Sequence, residues 1–137
     1  MLPSELQVDR TVSETLLFSI IESPGHPNLS ELYQRRDIRE VRLSSMRKAI
    51  QALQRQRPDY VVAEFFYGYG NNYAGANLGN LDVFLASLQK YAPEARVIVM
   101  VDKEDRKYVN RLAERYPVHA VLVQPVGAAD VDAALLT

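Results

Sequence analysis

The chain has 137 residues, 47% hydrophobic and 24% charged, with a formal net charge of -1 at neutral pH; this fits one globular domain with a sizeable core and gives no basic surplus for direct nucleic-acid binding. The absence of cysteine excludes disulfides, thiolate nucleophiles and Cys-ligated zinc or iron–sulfur sites, and suits a reducing cytoplasm. No apolar run approaches the ~20 residues of a membrane span, and MLPSELQVDR lacks the basic-then-apolar order of a secretory signal, so a cytoplasmic protein without membrane contact is expected.

Residues 1–14 are polar and read as a flexible leader, with 15–137 as one domain. Leu16 to Ile21 (LLFSII) is a short apolar run closed by Glu22 and the turn-rich SPGHPN, the pattern of a buried first strand. Leu29 to Gln34 makes a short helix capped by Asn28 or Ser30, and Asp37 to Leu43 alternates imperfectly, as an outer strand does. Ser44 is expected to cap SSMRKAIQALQRQR, whose Met46, Ala49, Ile50 and Leu53 share one helical face before Pro58. A third strand runs from Asp59 to Phe66, and a helix from about Asn80 to Tyr91 turns Leu81, Phe84, Leu85 and Leu88 inward. Ala95 to Val101 is the most strand-like run. Asp102 follows in the N-cap position of the charged helix KEDRKYVNRLAERY, with Tyr108, Leu112 and Ala113 as its buried stripe. Val118 to Val123 is a fifth strand, ended by Gln124 and Pro125, and Ala128 to Leu136 a last helix.

Apolar strands alternating with amphipathic helices predict an open α/β sandwich: a five-stranded parallel sheet with helices on both faces, in three layers. Ligands and chemistry in such folds gather at the carboxyl ends of the strands, here Glu22, Glu64, Val101 with Asp102, and Gln124 with Pro125.

RPDYVVAEF resembles the third-strand signature of the receiver domains of two-component response regulators, where a proline-aspartate pair leads into an apolar strand ending on the phosphorylated aspartate. Glu64 occupies that aspartate's place. The resemblance runs from about Thr15 to Leu136, with the landmarks altered: the acidic pair is reduced to Glu22-Ser23, the hydroxyl position reads Val101, the lysine reads Gln124, the switching aromatic falls on Val121, and Pro125 is kept. The pattern is similar to a degenerate receiver, or pseudo-receiver.

Phosphorylating a carboxylate needs Mg²⁺ held by several oxygens, a nucleophile at fixed reach, and cationic and hydroxyl partners for the phosphoryl oxygens. Glu64 is one methylene too long, and a misplacement on the order of 1 Å can cost ~10²-fold in rate. Two readings of Glu64 stay open: a carboxylate that imitates a phosphorylated aspartate, or one that caps a helix or pairs with an arginine. At ~5 Å, repulsion between Glu22 and Glu64 would raise one pKa or recruit a cation. Gln124 is expected to satisfy a carboxylate without forming an ion pair.

YGYGNNYAGANLGN places Tyr67, Tyr69 and Tyr73 among four glycines and four asparagines. It reads either as a recognition loop or lid, or as tyrosines filling the pocket. Its glycines make neither a dinucleotide fingerprint nor a P-loop, and the prolines around His26 remove donors an anion would need. His26 reads as an exposed turn residue, His119 as a partly buried, hydrogen-bonded one.

Arg106, Lys107, Arg111 and Arg115 lie on the fourth helix; by resemblance, its face with the fifth strand and fifth helix is the expected partner or homodimer surface. The leading expectation is a non-enzymatic signalling module, without metal or cofactor, acting on a protein partner or an attached or separate output domain. The alternatives are a small-ligand sensor closed by the 67–80 loop and an unconventional phosphoreceiver using Glu64.

Overall fold

The computed structural model describes residues 14–23, 28–68 and 78–137. Five strands, β1 (Thr15–Ile20), β2 (Ile38–Leu43), β3 (Tyr60–Glu64), β4 (Arg96–Val101) and β5 (Ala120–Val123), alternate with helices α1 (Ser30–Arg35), α2 (Met46–Leu53), α3 (Asp82–Tyr91), α4 (Arg106–Arg115) and α5 (Ala128–Leu136). The strands form one sheet in the order β2-β1-β3-β4-β5, every pairing parallel. β2 is an edge strand, as its imperfect alternation predicts.

Alternate residues divide between two cores. Leu16, Phe18 and Ile20 of β1, with Val61, Val97 and Val99, pack against α2, α3 and α4, whose Leu53, Leu85, Leu88, Val109 and Leu112 are buried. Leu17, Val62, Ile98 and Met100 point the opposite way, onto Leu32 and Tyr33 of α1 and Val131 and Leu135 of α5. The central strands are therefore apolar over most of their length because both faces are covered. Each fully buried Leu, Val or Phe contributes roughly 1.5–3 kcal/mol relative to exposure.

Several local expectations are corrected. Ser45, not Ser44, caps α2, its Oγ accepting the Lys48 N–H at 3.2 Å. The helix expected from Asn80 starts at Asp82 because Asn80 serves the end of β3 instead. Lys103–Asp105 forms a 3₁₀ turn before α4, and Asp102 makes no side-chain cap there. The buried stripe of α4 is Val109 and Leu112 with half-buried Tyr108, while Ala113, about 100° round the helix from Leu112, is exposed.

Candidate functional site

The parallel order brings the carboxyl ends of β1, β3, β4 and β5 to one edge of the sheet, on either side of the β1/β3 junction where the winding reverses. There a cleft of ≈ 380 Å³ is lined by Ser23, Glu64, Phe65, Phe66, Met100, Val101, Asp102, Gln124 and Pro125. Six of the seven cleft residues expected from the sequence line it, and Glu22 joins through its backbone.

Glu64 is buried, with 4% of its surface exposed. Its Oε1 accepts the backbone N–H groups of Glu22 at 2.8 Å and Ser23 at 3.0 Å. The extra methylene thus carries the carboxylate across to the segment after β1, and the partners are main-chain amides, neither a helix end nor an arginine. Hydrogen bonds to a charged acceptor contribute about 1.5–3 kcal/mol each, which offsets the desolvation of a buried carboxylate. Oε2 has no hydrogen-bond partner among the described residues.

Glu22 feels this arrangement. Burial first, and the Glu64 charge second, push its carboxyl above the ordinary carboxylate range, opposed by a hydrogen bond from the Met46 backbone at the start of α2. Gln124 does not satisfy a carboxylate with its carbonyl: Oε1 accepts the Val126 N–H at 3.0 Å, across the cis Gln124–Pro125 peptide. Asp102 is exposed at the cleft rim, Val101 is buried and offers no hydroxyl, and among the described residues no lysine or arginine lines the cleft. Among the described residues no three His, Cys, Asp or Glu side chains group as metal ligands.

The base of the loop after β3 holds residues that sequence reasoning missed. Asn80 clasps the strand end, its Oδ1 accepting the Phe66 N–H at 2.7 Å and its Nδ2 donating to the Glu64 carbonyl at 2.8 Å. Asp82, also buried, accepts the Leu78 and Gly79 N–H groups at 2.9 and 2.8 Å through Oδ1 and Arg115 at 3.3 Å through Oδ2. A Cβ on Gly79 would collide with the Phe66 carbonyl and come within 2.8 Å of Phe65 Cε1. The Gly-Asn-x-Asp spacing was the available signal, since Asn and Asp carry local side-chain-to-backbone bonds.

Tyr67 does not fill the cleft. It is 48% exposed and stacks on Tyr108 of α4. Tyr69, Tyr73 and His26 lie outside the described residues. His119, half-buried just before β5, has Nε2 3.1 Å from the Ala134 carbonyl oxygen. Of the basic residues on α4, Arg106 donates to Asn110 at 3.0 Å, Lys107 lies over the Tyr108 ring, Arg111 is exposed, and Arg115 turns inward to Asp82.

Sheet order, layering and cleft position together define a receiver-type α/β fold. The chain is similar to the response regulator receiver domain protein of Clostridium thermocellum, at 18% identity over 89% of this chain and 91% of that one, TM-score 0.68. It is similar also to the pilus assembly protein CpaE of Caulobacter crescentus, at 22% identity over 88% and 89%, TM-score 0.60. A response regulator protein of Burkholderia pseudomallei with a phosphorylated aspartic acid, calcium ion and citrate matches at 16% identity over 88% and 66%, TM-score 0.63. At these identities the likeness is one of fold. No family model and no curated protein matches the sequence.

Proposed function

We propose that this chain is a pseudo-receiver: a non-enzymatic signalling module of receiver fold that carries no aspartyl phosphate and acts through protein contacts, regulating an attached or separate output domain. The observation that carries this reading is the Glu64 carboxylate, whose Oε1 is held by the Glu22 and Ser23 amides in a cleft lined by neither lysine nor arginine among the described residues. A nucleophilic carboxylate needs an oxygen free to attack and a cation to neutralise the transferring phosphoryl group. Here Oε2 is left to attack, but Oε1 ties the carboxylate to the segment after β1, the position of the cation is filled by Gln124 bonded to its own loop, and that of the hydroxyl by buried Val101.

The module spans 15–137 in this reading, with 1–14 as a leader, and works in the cytoplasm; no helix among the described residues is long and apolar enough to cross a membrane. Its contact face for a partner or a second copy is α4, β5 and α5, on which Val123 and Leu136 are exposed apolar residues and Arg106, Lys107 and Arg111 exposed basic ones. Incubation with acetyl phosphate and Mg²⁺, followed by intact-mass measurement, tests the reading. No phosphoryl adduct is expected; a stable adduct mapped to Glu64 refutes it.

A further inference from the structure

The carboxylates of the cleft have no counter-charge among the described residues. Glu64 is buried, its Oε2 has no hydrogen-bond partner among the described residues, and neither Glu64, Glu22 nor Asp102 forms an ion pair among them. Two amide dipoles at Oε1 compensate part of a buried charge, and a cation at the other oxygen would compensate the remainder. Asp102 lies on the same cleft with its carboxylate exposed, and Phe66 and Pro125 form apolar wall.

We propose that this cleft seats the ammonium tip of a lysine side chain from a partner protein, accepted by Glu64 Oε2 and the Asp102 carboxylate, with its aliphatic stem along Phe66 and Pro125. This rests on the protein-contact reading above and names the chemistry of the contact. A lysine fits better than a divalent ion, because no third carboxylate or imidazole completes a coordination shell among the described residues. It fits better than an arginine because Glu64 offers one oxygen beyond the two amide bonds, which suits a compact point charge, whereas a guanidinium is recognised through a two-oxygen fork. The stem would cover apolar wall while its charge meets charge, the usual division within a long cationic side chain.

The probe is n-butylammonium chloride, which reproduces the stem and tip, titrated into the isotopically labelled protein at constant ionic strength while the Glu22, Ser23 and Gln124 backbone amides are followed by NMR. Saturable shifts are expected, with affinity about tenfold weaker in Glu64→Gln, which keeps a carbonyl for the two amides but removes the charge. Asp102→Asn, at an exposed position, weakens binding by about threefold and decides the matter if Glu64→Gln does not fold. Absence of saturable shifts, equal binding by the variants, tighter binding of n-butylguanidinium, or the same shifts with MgCl₂ in place of the ammonium overturns the proposal. A phosphoryl adduct on Glu64 would sink the contact reading without bearing on ammonium affinity, so the two failures are distinguishable.

Discussion

Tyr67 and Tyr108 lie face to face, with ring centroids 3.6 Å apart and planes 13° from parallel. This stack ties the segment leaving β3 to α4, reinforced by a long contact of 3.5 Å from the Tyr67 N–H to Asp105 Oδ2 and by Lys107 Nζ 5.3 Å from the Tyr108 centroid. It thereby joins the rim of the cleft to the face proposed for partner contact.

The stack predicts a measurable coupling. In a double-mutant cycle of Tyr67→Ala and Tyr108→Ala followed by urea unfolding, the interaction energy should be about 0.5–1 kcal/mol, at the lower end for aromatic pairs because Tyr67 is half exposed and the rings are nearly parallel. Strict additivity would show that the rings meet without holding the loop to the helix.

Asp82 and Arg115 should behave unequally. The Asp82 side chain is 3% exposed and that of Arg115 43%, so the ion pair is screened and Arg115→Ala should cost less than about 1 kcal/mol. Asp82→Ala strands the Leu78 and Gly79 amides as well, and should cost about 2–4 kcal/mol. Gly79→Ala should cost about 3 kcal/mol, since the Phe66 carbonyl that blocks its Cβ belongs to the backbone and yields little. Chemical denaturation of the three variants checks the ranking; an Arg115 variant as damaged as Asp82→Ala contradicts it.

Much of this was legible beforehand, for reasons visible in particular residues. Val61 to Ala63 and Val97 to Val101 are apolar without interruption because both faces of a central parallel strand are covered, and that fixed where the strands end and hence which residues meet at the cleft. What Glu64 bonds to was not legible. Its partners are backbone amides 42 and 41 residues away, and main-chain donors leave no mark on residue identity. The same holds for Gln124, whose bond to Val126 depends on a local turn. The Asn80 clasp was hidden because the apolar period of α3 made Asn80 look like its first residue.

Glu22 supplies a pH signature. Its carboxyl titrates above the ordinary carboxylate value because of burial and, secondarily, the Glu64 charge, so across the interval between the two values the folded chain binds more protons than the unfolded one. Stability from this group is fully present below the unfolded pKa and lost as pH rises through the raised folded value. Glu22→Gln, which keeps an acceptor for the Met46 amide, should therefore melt above the wild type at about pH 7.5, the gap closing towards about pH 4. A melting difference that stays constant or reverses across that range contradicts the origin given for the shift.

Glu64 is fastened to the segment after β1 through Oε1, and the proposed function has it closed to switching by a phosphoryl group. Beryllium fluoride with Mg²⁺, added while the Glu22 and Ser23 amide resonances are followed, tests it most directly, because those two N–H groups report on Oε1. Both resonances are expected to stay where they are. A second, slowly exchanging set of signals for Glu22 and Ser23, with a beryllofluoride bound at the strand ends, would contradict it.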